Sequence, residues 1–193
     1  GLRSGRNASV HGHAMKRPRL IVCMGVSGCG KSTVARAIAD AFGLQFLEGD
    51  DFHGPENRAW MASGRPLTDT MREPWIERIV AALNAEAVLG RDCVLACSAL
   101  RRVHRQRLRE AGLATRFLFL DGERELLEAW MRARDGHFMP ADLLDSQFAA
   151  LESTVDESDV TRILLSADWA APLKLALEAA RRFIESAPVD GSD

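Results

Sequence analysis

The stretch Gly25-Val26-Ser27-Gly28-Cys29-Gly30-Lys31-Ser32 decides the fold. It fits Gly-x-x-x-x-Gly-Lys-[Ser/Thr], a loop whose backbone N–H groups turn inward on a polyphosphate. An apolar run, Leu20-Ile21-Val22-Cys23-Met24, stands just before it and reads as a buried strand. An amphipathic stretch from Thr33 to Phe42 follows, with Val34, Ile38, Ala41 and Phe42 on one helical face. Strand, glycine loop and helix come in the order the chemistry needs, because the helix N-terminus adds the positive end of its dipole. Gly25, Val26, Ser27, Gly28, Cys29, Gly30, Lys31, Ser32 and Thr33 are therefore the candidate nucleoside-triphosphate segment. In such a loop the lysine, Lys31, reaches the terminal phosphates and the hydroxyl of Ser32 sits on Mg²⁺.

The chain has 193 residues, which suits one domain with a sizeable core. A net charge of −2 argues against a nucleic-acid or membrane-surface binder that works by bulk electrostatics. No apolar run approaches the ~20 residues of a membrane helix. Cys23, Cys93 and Cys97 lie in apolar runs, Cys29 lies in the phosphate loop, and none makes a C-x-x-C pair. They read as reduced thiols of a cytoplasmic protein. Residues 1–17 lack apolar periodicity and read as a disordered leader; residues 188–193 read as a frayed tail. The domain proper is expected over 18–187.

Further along, Leu44–Leu47 forms a short strand that ends in Glu48-Gly49-Asp50-Asp51-Phe52-His53. Ligands of open α/β sheets sit outside the C-terminal ends of strands, so these acidic residues are the first candidates for acceptor chemistry. Pro55–Met61 reads as a helix, residues 64–75 as a loop with two prolines, and Trp75 to about Leu89 as a long helix. Cys93–Cys97 is a third strand. The basic helix after it carries Arg101, Arg102, Arg105, Arg107 and Arg109, most of them expected to be solvated. Strands at Arg116–Leu120 and Arg162–Leu165, and helices at Glu123–Arg134, Ala141–Leu151 and Pro172–Glu185, complete the alternation. The pattern predicts an α/β fold of three layers, α/β/α, with a five-stranded parallel sheet.

A guanine-reading Asn-Lys-x-Asp is absent, and no strand ends in the Asp or Asp-Glu usual in ATP-driven motors. A small-molecule kinase needs a compact chain and a mobile cover that carries arginines. Arg132-Ala133-Arg134-Asp135-Gly136-His137-Phe138 fits that cover, so a lid is expected at about 130–150.

The chain resembles the gluconokinases, small ATP-dependent kinases of the same broad group as shikimate and adenylate kinases. The matching stretches are Met24–Thr33, Gly49–His53, Glu56-Asn57-Arg58, Met61–Leu67, Arg72–Trp75, Ala96–Leu100, Gly136–Met139, Ser146-Gln147-Phe148 and Leu151-Glu152. They are collinear, and Cys97-Ser98-Ala99-Leu100 and Gly136-His137-Phe138-Met139 are far more discriminating than the loop. The resemblance implies a P-loop kinase fold and transfer of phosphate from ATP to D-gluconate, with Mg²⁺. It also makes a homodimer an open expectation.

Gluconate is a linear polyol with a carboxylate, so its pocket needs hydroxyl acceptors and a cation. Asp50 is the candidate general base, or the group that orients the attacking hydroxyl. His53, Arg58 and Arg72 are candidates for gripping the sugar acid. Arg134 and His137 would act from the lid, Arg134 on the transferring phosphoryl group. Each also has a structural reading: a helix cap for Asp50, a packed histidine for His53, surface ion pairs for Arg58 and Arg72. Gln147 reads first as a surface-helix residue, His104 as a solvated one, and the tryptophans as core or interface. Where the family has Asp-x-Asp this chain has Glu48-Gly49-Asp50; a carboxylate position of the family is Met71, and a lid-side arginine is Trp130. Two alternatives stand beside the main reading: a kinase for another small hydroxy-acid such as shikimate, and a nucleotide-binding regulator without catalysis.

Overall fold

Every residue of Leu20–Met24 is buried, and the pleat lets this one strand serve two cores. Ile21 and Cys23 join one cluster, while Leu20, Val22 and Met24 join the other. The same alternation divides Val94 and Ala96 from Cys93 and Leu95, and Leu118 and Leu120 from Phe117 and Phe119. Strands covered by helices on both faces need no polar side, which is why they read as continuous apolar runs. The computed structural model describes residues 17–134 and 141–187. The expected leader (save Arg17), the tail and the Gly136-His137-Phe138-Met139 stretch lie outside them.

Five parallel strands, β1 (Arg19–Met24), β2 (Gln45–Glu48), β3 (Cys93–Ala96), β4 (Ala114–Asp121) and β5 (Val160–Leu164), form one sheet in the order β2-β3-β1-β4-β5. In register, Val22 stands beside Leu95 on one side and Phe117 on the other. The helices are α1 (Lys31–Phe42), α2 (Pro55–Ala62), α3 (Asp69–Val88), α4 (Arg102–Arg109), α5 (Arg124–Ala133), α6 (Ala141–Ala150) and α7 (Ala170–Glu185). One face of the sheet takes Val34, Ala35 and Ile38 of α1 with Ala176, Ala180 and Phe183 of α7. The other takes Trp75, Ile76, Ile79 and Leu83 of α3 with Leu108 of α4. Among the described residues no helix is long and apolar enough to cross a membrane.

Two local expectations need correction. The segment 64–75 is not loop throughout, since α3 begins at Asp69. Thr68 caps it by accepting from the Met71 N–H at 3.2 Å. Pro74 sits inside the helix, where it withholds one hydrogen bond from the Thr70 carbonyl, but it does not stop the helix. The basic helix α4 is also less solvated than expected, because residues 152–159 meet Arg105 and Arg109 and His104 packs edge-on against Trp75 of α3. His104 is 3% exposed and Arg105 0%. Arg105 donates from Nη1 to the Ala99 and Leu100 carbonyls at 2.7 and 3.0 Å. Its Nε and Nη2 make a two-pronged pair with Glu157 at 2.8 and 2.7 Å. Arg109 joins through Glu157 at 2.6 Å and Asp159 at 2.6 and 2.8 Å.

The network serves the site. Ala99 has a φ of 46°, an uncommon backbone for a residue with a Cβ, and costs about 1–2 kcal/mol. Arg105 holds that peptide from outside, and the Gly25 N–H holds its neighbour by donating to the Ser98 carbonyl at 3.3 Å. Burial alone would raise the Glu157 carboxyl, but the hydrogen bonds and charges of Arg105 and Arg109 more than reverse this and hold it at about 2. A depressed carboxyl contributes stability above its ordinary value near 4.5, and loses it as pH falls toward about 2. Glu157→Gln should therefore lower stability by about 3 kcal/mol at pH 7, and by much less near pH 2.5. Urea unfolding at the two pH values checks this; an equal loss at both would contradict it.

Candidate active site

The loop after β1 turns on three glycines with positive φ: Gly25 at 146°, Gly28 at 81° and Gly30 at 91°. These angles open the loop so that its N–H groups line a concavity at the start of α1. Other parts of the chain brace it. The Ser27 N–H donates to Gln147 Oε1 of α6 at 3.2 Å, and Lys31 Nζ folds back to the Val26 carbonyl at 3.1 Å. Cys29 is buried inside the loop, where desolvation raises its thiol pKa, so it is packing rather than a nucleophile.

Beside the loop, Gly49–Phe52 forms one turn of 3-10 helix instead of a simple strand exit. Glu48 governs it. Its carboxylate takes the Ser32 hydroxyl and also accepts from the Asp50 N–H at 3.4 Å. The longer side chain at this position thus joins the Ser32 hydroxyl to the acidic turn. Trp75 fixes the same turn from α3, donating from Nε1 to the Gly49 carbonyl at 2.8 Å. There is no room for a side chain at Gly49, since a Cβ would strike the Ala96 carbonyl of β3.

His53 lies flat on Trp75, with centroids 4.8 Å apart and planes 7° apart. Asn57 Nδ2 is 2.9 Å from the Met71 carbonyl, which can only accept, and 3.2 Å from His53 Nδ1. That amide therefore donates to both, and the His53 proton is on Nε2. Burial lowers the His53 pKa; Asp50 opposes this, while Arg58, Arg72 and Arg78 add to it. Arg72 reaches the site from the first turns of α3, with only 12% of its side chain exposed and a 3.2 Å ion pair to Asp69.

One cleft of about 570 Å³ collects these groups. Ser27, Gly28, Gly30, Lys31, Ser32 and Thr33 line it together with Asp50, His53, Arg65 and Arg72. Arg134 and Gln147 also line it. Of the expected acceptor residues, Arg58 is not among the described residues that line the cleft. Its guanidinium holds the backbone of the acidic turn, at the His53 carbonyl (3.1 Å) and the Asp51 carbonyl (3.3 Å). His137 lies outside the described residues. Arg65 is a lining cation that the sequence reading passed over. It sits 3.6 Å above the Trp60 ring, and Trp60 Nε1 donates to the Pro66 carbonyl at 2.9 Å. The Gly64-Arg65-Pro66 run within a matched stretch was the signal for it. Gln147 is likewise more than a surface residue, because it holds the phosphate loop.

A parallel sheet of order 2-3-1-4-5, with a phosphate loop after its central strand and a polar cleft beyond, defines a small-molecule kinase of the P-loop class. A family model described as an AAA domain matches residues 20–157. Over 147 residues the chain is 44% identical to a gluconokinase of Gluconobacter oxydans, covering 76% of this chain and 83% of that one. It is 40% identical to the thermosensitive gluconokinase of Escherichia coli over 150 residues, covering 77% and 80% respectively. The crystal structure of a gluconokinase from Sinorhizobium meliloti superposes with a TM-score of 0.77 at 40% identity, over 88% of this chain and 95% of that one. The chain belongs to the gluconokinase family.

A buried imidazole stacked on an indole should titrate below the ordinary value of 6.5. Histidine side-chain NMR should find His53 neutral at pH 7 with its proton on Nε2. Trp75→Ala, which uncovers a ring face, should move the titration back up. A wild-type titration at or above 6.5 would contradict the assignment.

Proposed function

We propose that the chain transfers the γ-phosphoryl group of ATP to D-gluconate by in-line displacement, giving 6-phospho-D-gluconate and ADP. The observation that carries this reading is the shared lining of one cleft by Lys31 and Ser32 with Asp50, His53, Arg65 and Arg72. The names of the relatives support gluconate as the acceptor.

The roles follow from chemistry. The loop N–H groups and the N-terminus of α1 bind the phosphates. Asp50 accepts the proton of the attacking hydroxyl, or orients it. A carboxylate substrate pairs with Arg72, whose guanidinium is largely out of water and therefore binds an anion more strongly than a solvated one would. Arg65 supplies a second cation. The Nε2–H of a neutral His53 donates to a substrate hydroxyl. Lys31 and Arg134 draw charge from the transferring group. Arg58 acts indirectly, by holding the turn that carries Asp50.

The donor set fits Mg²⁺. Ser32, Glu48 and Asp50 offer hard oxygens, and among the described residues no group of three or more His, Cys, Asp or Glu could hold a metal by itself. Mg²⁺ sites of this kind lean on substrate phosphates and one or two carboxylates. Ser32 would hold the ion with the ATP phosphates, and Glu48 would orient the hydroxyl; when bound, the ion neutralises charge on the β- and γ-phosphates. Buried free thiols at Cys23, Cys29, Cys93 and Cys97 support a reducing, cytoplasmic setting.

A coupled ADP-release assay over gluconate, shikimate, other sugar acids and nucleoside monophosphates tests the substrate. Gluconate should be turned over well above the others, and no turnover above background would sink the claim. ATP-induced thermal stabilisation with no acceptor-stimulated ADP release would favour a regulator. Lys31→Ala should abolish turnover, and Asp50→Asn should cut kcat by more than ~10²; a near-normal kcat in the latter removes Asp50 from the proton transfer. Glu48→Gln should raise the Mg²⁺ concentration for half-maximal rate by about 10- to 100-fold.

A further inference from the structure

The connection from α2 to α3 closes on itself around Arg65. Gly64 turns the chain with a φ of 81°, and its N–H donates to the Met61 carbonyl at 2.9 Å. The Ser63 hydroxyl donates to the Trp60 carbonyl at 2.6 Å. With its one proton so committed, that hydroxyl accepts from Arg65 Nε at 2.8 Å. The guanidinium lies over the half-buried Trp60 ring, Cζ 3.6 Å from the centroid. Trp60 is tied in turn, since its Nε1 donates to the Pro66 carbonyl.

This circuit leaves a particular part of Arg65 free. Nε is held by Ser63 and one ring face by the indole, so the two Nη groups remain for a ligand. Presented end-on, they form the fork that fits a carboxylate with two parallel hydrogen bonds. Arg72 lines the same cleft but already holds Asp69 at 3.2 Å, and Asp69 also draws Arg101 at 3.4 Å. Arg65 makes no ion pair with an acidic side chain among the described residues; its contacts are Ser63 and Trp60. An exposed cation on a free stem gains little from an anion, because ordering the stem offsets the attraction. Here the stem is ordered before a ligand arrives, and the indole keeps water from one face of the charge. A sugar acid differs from a neutral polyol of the same length at the carboxyl group alone, so a placed and unneutralised fork is what separates them.

We propose that Arg65 is a specificity-determining residue, which selects an anionic acceptor over a neutral one of the same length, and that Trp60 is its positioning residue. The inference rests on the reading of the cleft as the site of a sugar acid, but not on which sugar acid it takes.

The full chain is assayed with ATP over a range of gluconate concentrations. Gluconamide, the uncharged amide of the same acid, is the neutral probe, and its affinity is read as an inhibition constant against gluconate. Arg65→Ala should raise KM for gluconate by roughly ten- to a hundredfold and lower kcat by much less, with KM for ATP moving less than about twofold. The gluconamide constant should move less than about threefold, so the preference for the acid collapses. Trp60→Ala should raise KM for gluconate by roughly three- to thirtyfold; Trp60→Phe should recover most of this and Trp60→Leu little. An unchanged KM in Arg65→Ala would overturn the proposal, as would an equal loss for gluconate and gluconamide, which would make Arg65 a wall of the cleft. A fall in kcat larger than the rise in KM would also overturn it, by placing Arg65 in the transfer step. Equal KM values for Trp60→Phe and Trp60→Leu would remove the role of Trp60. Should Trp60→Ala fail to fold, Arg65→Ala and the comparison of acid with amide still decide. If the wild type turns over another sugar acid and not gluconate, the same comparison is made with that acid and its amide, and the failure counts against gluconate alone.

Discussion

The first turn of α1 carries backbone N–H groups that no helical carbonyl can take, and the site is arranged around where they point. Their positive end is what a polyphosphate seeks. Reaching that geometry straight from a buried strand requires backbone angles that side-chain-bearing residues avoid, hence the positive φ at Gly25, Gly28 and Gly30. Gly30 meets a second demand, because Trp169 occupies the space its side chain would fill. The loop is thus constrained by its own torsions and by packing from α7.

A loop of this kind does not hold itself, and its supports come from distant parts of the chain. Gln147 reaches Ser27 from α6, Ser98 accepts from Gly25, and Glu48 takes the Ser32 hydroxyl. Those supports are themselves supported. Arg105, wholly buried, grips the strained Ala99 peptide beside Ser98, and Glu157 neutralises it. Trp75 grips Gly49 next to Asp50 and carries His53 on its face. The buried charge in α4 is tolerable because all its donors are taken up; removal of either partner leaves the other uncompensated.

Much of the fold was legible along the chain because its signals are local. A run such as Leu20–Met24 must be a two-sided buried strand, and the Gly-Lys-Ser loop admits few backbones. The errors fell where local signals compete. Two prolines and polar residues made 64–75 look like loop, yet the Thr68 cap and packing of Trp75 and Ile76 carry α3 through Pro74. Most of the arginines from Arg101 to Arg109 looked solvated because helical spacing cannot reveal that residues 152–159 return to cover Arg105 and Arg109.

By itself the sequence determined the chemistry at hand: a phosphate loop, an acidic strand end at Asp50, and cations spread over several segments. These depend on residue type and on spacing within a few positions. Tertiary structure alone decided which cations meet. Arg65 and Arg72 face the cleft, while Arg58 turns to the carbonyls of its own neighbourhood and Arg105 to the Ala99 peptide. It also brought together Trp130 and Trp169, which are far apart in the chain. Their pairing follows from β4 and β5 lying side by side and delivering α5 and α7 to the same end of the sheet. Such meetings are set by how helices cross a sheet, and no short window of sequence encodes that.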